Sequence, residues 1–191
     1  MESRATAPSS LQAVYLALVP GCRGTSMQRS LAQMLASWSL GFGSMPQWLG
    51  LSRRRFRNLI ESQFPDVDPA VFQRYGRPLD PERWGEMADL RNLLLQNMTR
   101  NSERDAVMAD ILVAGCMGSD HLWQDLGLWQ RPELTRIMHE YFRPLAERND
   151  RDMKWKKFLY KQLCEKEGIY TCRVPTCEGC IDFAGCFGPE D

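Results

Sequence analysis

Helix-start signals recur along this chain more regularly than any other pattern. Asp68-Pro69 and Asp80-Pro81 each open an apolar-periodic segment. The aspartate caps exposed backbone N–H groups, and the proline follows where an N–H has no partner to lose. Ser52 plays the same capping part ahead of SRRRFRNLIESQF, which stops at Pro65. In SMQRSLAQMLASWSLG, Leu31, Met34, Leu35 and Trp38 share one helical face, and Gly41 supplies the stop. Further helical segments are DPAVFQRY, DPERWGEMADLRNLLLQNM, SERDAVMADILVAGCMG, RPELTRIMHEYFRPLAERN and DRDMKWKKFLYKQLCEKEG. GFGSMPQWLG reads as a loop. Strand-like alternation is scarce. The pattern predicts an all-α fold, a helical bundle of about six to eight helices with short connections.

The chain's character changes at Gly168. Beyond it cysteine, glycine and proline dominate and no helix-length apolar pattern survives. This predicts a helical domain over 1–168 and an irregular Cys-rich metal-binding tail over 169–191. A chain of 191 residues buries enough surface to fold without a staple. Its net charge of zero offers no general attraction for nucleic acid. AVYLALVPGC, Ala13 to Cys22, faintly resembles an export signal, but its apolar run is short and Pro20 falls where cleavage would occur. An amphipathic first helix capped by Ser9 or Ser10 accounts for it better. No apolar stretch is long enough to cross a membrane. With seven cysteines, an odd number, a closed disulfide framework fits poorly, and the chain reads as cytoplasmic with reduced thiols.

Four of those cysteines crowd into the tail as Cys172-x4-Cys177-x2-Cys180-x5-Cys186. Cys177 and Cys180 form a two-residue chelate, and the gaps of four and two match plant-type ferredoxins. Pro175, Gly179 and Gly185 let the backbone turn tightly. Zinc is a weaker reading, because structural zinc sites pair two such chelates across a longer loop. Disulfides come third. Cys22 and Cys116 stand alone in apolar surroundings and read as small core residues. Cys164, eight residues ahead of Cys172, reads either as a further ligand or as part of an apolar helix face with Phe158, Leu159 and Leu163.

DMKWKKFLYKQLCEKEG, the cysteine spacing, and CFGPE in that order closely resemble the NifQ family of nitrogen-fixation proteins. GSDHLWQDLGL, Gly118 to Leu128, is similar to a block that family carries upstream. The resemblance covers roughly Ala106 to the end. It implies a molybdenum carrier and donor for biosynthesis of the nitrogenase iron–molybdenum cofactor. The implied cofactors are an iron–sulfur cluster able to carry molybdenum, and molybdenum itself, with Cys172, Cys177, Cys180 and Cys186 as ligands. The implied partners are molybdate, the nitrogenase cofactor-assembly scaffold and the nitrogenase iron protein, with no nucleic acid and no membrane.

Two other features join this reading. All five lysines fall between Lys154 and Lys166. At helical spacing Lys154, Lys157 and Lys161 share a face, either to attract an anion or a partner, or as a solvated surface. His121 is a candidate metal ligand, or a histidine hydrogen-bonded within a packed turn. His139 reads as an ordinary helix residue. No nucleophile triad, phosphate-cradling glycine loop or paired-carboxylate signature stands out, so the chain is expected not to be an enzyme. A ferredoxin-like electron-transfer protein and a zinc-stabilised helical interaction module are the alternatives. A short terminal peptide suits delivery to a partner, because chain ends reach outward easily.

Overall fold

A computed structural model describes residues 10–20, 24–72, 76–166 and 183–188. Among these residues every regular element is helical: α1 Leu11–Leu18, α2 Ser26–Leu40, α3 Arg53–Gln63, α4 Trp84–Leu95, α5 Glu103–Cys116, α6 Leu122–Asp125, α7 Arg131–Tyr141, α8 Arg143–Ala146, α9 Trp155–Lys166 and α10 Phe183–Phe187. Single turns of 3-10 helix lie at Gln47–Gly50, Pro69–Val71 and Pro81–Arg83. The all-α expectation holds. Among the described residues there are ten α-helices; seven are eight residues or longer, within the expected six to eight, and α6, α8 and α10 are only four or five residues long, too short for periodicity to reveal.

The caps form as the sequence suggests. Ser10 accepts from the Ala13 N–H at 3.2 Å and Ser52 from the Arg55 N–H at 3.3 Å. Gly41 closes α2 in the left-handed region at φ 88°, where a side chain would be strained. Three expectations fail, the first being the start of the last helix: α9 begins at Trp155 and not at Asp150, with Asp152 in the left-handed region at φ 53°. In DPAVFQRY, Pro69–Val71 make one 3-10 turn and Phe72 leaves helical geometry to turn its ring into the core, edge-on to Phe56 at 6.0 Å; residues 73–75 lie outside the described residues. The segment predicted as one helix from Arg131 breaks at Phe142, because Pro144 lacks the N–H for Glu140 and its ring crowds that carbonyl.

α2 and α5 form the centre. Leu31, Ala32, Met34, Leu35 and Ala36 of α2 are fully buried, as are Met108, Ala109, Ile111 and Leu112 of α5. A helix covered on nearly all sides needs no polar face. α3, α4 and α7 cover them with one apolar stripe each, for example Leu134, Ile137, Met138 and Tyr141 of α7. α9 inserts Trp155, Phe158 and Leu159, an i, i+3, i+4 set, and the Trp155 indole donates to Thr135 Oγ1 of α7 at 3.0 Å. No described helix is long and apolar enough to cross a membrane.

Candidate metal centre

The inner face of α9 fixes its other faces. With Trp155, Phe158 and Leu159 turned inward, Lys156 and Tyr160, one turn apart, line one flank. Lys156 reaches from there into the loop between α5 and α6. Its ammonium donates to Asp120 O at 2.6 Å, to Gly118 O at 3.2 Å and to the Asp125 carboxylate. Three donors meet three acceptors. Asp125 is fully buried, so the pair is largely removed from water.

Gly118 makes this pocket possible. A Cβ there would stand 2.1 Å from Asp125 Oδ1. The loop is braced from below as well. Ser44 N–H donates to Asp125 O at 2.9 Å, and the Ser37 hydroxyl of α2 donates to Gly127 O at 2.6 Å. The amino-terminal half therefore holds the GSDHLWQDLGL block in place. Within it, His121 starts α6 half-buried, and its N–H donates to Gln124 Oε1 at 3.3 Å.

Between this loop and α9 lies a cleft of 720 Å³. Arg83 forms part of its wall, donating to Glu86 at 2.9 and 2.6 Å, to Met117 O at 2.9 Å and to the Tyr160 hydroxyl at 3.0 Å. Those hydrogen bonds to Glu86 stabilise the guanidinium and raise its pKa. Cys116, 1% exposed, backs the same cleft. Burial pushes its thiol up to about 12, although nearby Lys156 pulls the other way. It is a core thiol, as the sequence suggested.

The tail returns to this place. α10 rests at the start of α9: Lys154 N–H donates to Cys186 O at 2.8 Å, and the Lys154 ammonium to Ala184 O at 3.4 Å. The Arg151 guanidinium lies over the Phe187 ring at 5.4 Å. Cys186 and Phe187 pack against the core, and Gly185 lines the cleft. Residues 183–188 are thus docked against the start of α9.

Of the residues singled out in the sequence, the fold puts His121, Lys154 and Lys157 in the lining of one cleft and ties the Cys186 carbonyl to Lys154 beside it. Lys161 lies outside it, paired with Glu165 at 3.5 Å. Cys164 is half-buried about 15 Å along α9 from Lys154. His139 is exposed on α7. Cys172, Cys177, Cys180 and Cys22 lie outside the described residues. Among the described residues no three His, Cys, Asp or Glu side chains converge on a point. Arg83, Asp125, Tyr160 and above all Lys156 escaped the sequence reading. The signal for Lys156 was its i, i+4 relation to Tyr160, on the flank beside the face formed by Lys154, Lys157 and Lys161.

The NifQ family model matches residues 30–188, reaching well upstream of the motifs that carried the resemblance. The chain is 39% identical to Protein NifQ of Azotobacter vinelandii, over 84% of this chain and 87% of that protein. It is 33% identical to Protein NifQ of Klebsiella pneumoniae, over 82% of this chain and 96% of that protein. With the Protein NifQ homolog of Sinorhizobium fredii it shares 35% identity over 83% of this chain and 68% of the relative. No solved structure matches it. A family match over most of the chain, joined to relatives of this identity, means that the chain belongs to the NifQ family of nitrogen-fixation proteins.

Proposed function

We propose that this protein receives molybdenum, holds it within an iron–sulfur cluster on Cys172, Cys177, Cys180 and Cys186, and donates it for assembly of the nitrogenase iron–molybdenum cofactor. The molybdenum–iron–sulfur cluster is cargo, so the protein acts as a carrier and not as an enzyme. One observation carries the reading: Cys186, the last cysteine of the motif, is held through its carbonyl by Lys154, next to Gly185 in a cleft also lined by Arg83, Lys156 and Lys157. The donor chemistry fits. Thiolates are soft ligands suited to iron–sulfide assemblies, and cations nearby offset the negative charge that four thiolates bring. The docked tail supports a change in how delivery works. A cofactor-assembly scaffold or the nitrogenase iron protein would approach the α9 and α10 surface, because Cys186 is held there.

Anaerobic reconstitution with iron, sulfide and molybdate followed by metal analysis tests this. The expected product is a coloured protein containing iron and molybdenum, with both lost in Cys177→Ser. Iron alone, cycling reversibly, would move the chain to electron transfer. Zinc alone without a chromophore would sink the cluster assignment.

A further inference from the structure

We propose that the cleft beside Cys186 is an entry subsite for a tetrahedral metal oxyanion, held by Lys157 and Lys154 before the metal meets sulfur. The inference rests on the carrier reading and adds where, and in what form, the metal first binds. The four cations that line the cleft are not equivalent. Arg83 is matched by Glu86, and Lys156 by the buried Asp125. Among the described residues the Lys154 ammonium touches only a carbonyl, at 3.4 Å. Lys157 is exposed and has no hydrogen bond or ion pair among the described residues. Among the described residues the uncompensated positive charge therefore gathers at the first turn of α9.

That position has two further consequences. Lys154 and Lys157 are one turn apart, so both ammoniums can reach a single small ion. The amino end of α9, twelve residues long, adds the positive end of its backbone dipole. Asp120 opposes this. Among the described residues it is the one carboxylate residue lining the cleft, and there its exposed side chain forms no ion pair. A cleft of 720 Å³ is also far roomier than a four-oxygen anion, so a bound ion keeps water around it. Affinity is then set by charge and falls with added salt.

The test is calorimetric titration of sodium molybdate into the full-length, metal-free protein at low ionic strength, with sodium sulfate as rival dianion. The expected result is saturable molybdate binding at one ion per chain. Lys157→Gln weakens it about fivefold and Asp120→Asn tightens it by about the same factor, the scale of one exposed charge. Lys161→Gln, on a residue paired away from the cleft, leaves it unchanged. Absence of saturable molybdate binding, equal effects of Lys157→Gln and Lys161→Gln, or sulfate binding tighter than molybdate would each overturn the subsite. Cys177→Ser separates the two proposals: it keeps oxyanion binding while the cluster is lost. A protein that binds molybdate but never assembles a cluster leaves the subsite standing and removes the carrier reading. One that loads a cluster without binding molybdate does the reverse.

Discussion

Gly118 shows how closely the candidate site is built at the level of single residues. Its hydrogen stands where any Cβ would lie 2.1 Å from Asp125 Oδ1. Asp125 is fully buried and held by Lys156, so it has no room to retreat. Gly118→Ala is expected to cost about 2–4 kcal/mol of stability, the range for a strained buried polar pair, as read by urea denaturation. Ser119→Ala, next door but exposed, should stay within about 0.5 kcal/mol of the parent. A loss for Gly118→Ala no larger than that for Ser119→Ala would show that the loop can move aside. Little of this was legible in the sequence. The lysine spacing points to Lys154 and Lys157, which do line the cleft, and to Lys161, which does not, but it says nothing of Lys156. Lys156 was passed over because its partner, Asp125, is 31 residues away in the chain. Periodicity reports which residues share a face; it is silent on what a distant loop places opposite that face.

Elements were more legible than contacts, and their failures have local causes. Caps at Ser10, Ser52 and Gly41 appeared where residue chemistry put them, because a cap depends on its own few neighbours. Helix ends set by tertiary packing did not. Phe72 ended its helix early to reach Phe56, a preference visible only once α3 is in place. α10 was invisible for a related reason. Five residues do not hold a helix in water unless something docks them. Here the docking comes from the Lys154 to Cys186 backbone hydrogen bond and from Arg151 over Phe187. Phe187→Ala removes the ring contact and the apolar packing together. Hydrogen exchange at the Lys154 amide, which donates to Cys186 O, should then speed up by about tenfold or more. Amides inside α5 should not respond. Unchanged exchange at Lys154 would mean that α10 is held by something other than Phe187.

The whole molecule is one core in which the two halves of the chain depend on each other. The α5–α6 block that opens the cleft is braced by Ser37 and Ser44 of the amino-terminal half. The family match beginning at residue 30 is consistent with that dependence. A core this dry has a measurable signature in alkali. Burial raises the Cys116 thiol from 9.0 to about 12. Burial, helped by Glu140, raises the Tyr141 phenol from 10.0 to about 12. Both groups lose a proton more readily in the unfolded chain than in the folded one. Their contribution to stability is therefore complete below the unfolded values and disappears as pH rises through the folded ones. Stability should hold to about pH 9 and then decline. Cys116 alone accounts for about 2 kcal/mol by about pH 10.5 and about 4 kcal/mol once its folded pKa is reached. Urea titrations at pH 8 and at about pH 10.5, on the parent and on Cys116→Ala, check this. The variant is less stable at pH 8, having lost buried atoms, but it should lose less on going to alkali. A parent and variant that decline in parallel would mean that water reaches Cys116 through the cleft, and that the wall between the core and the candidate metal centre is open.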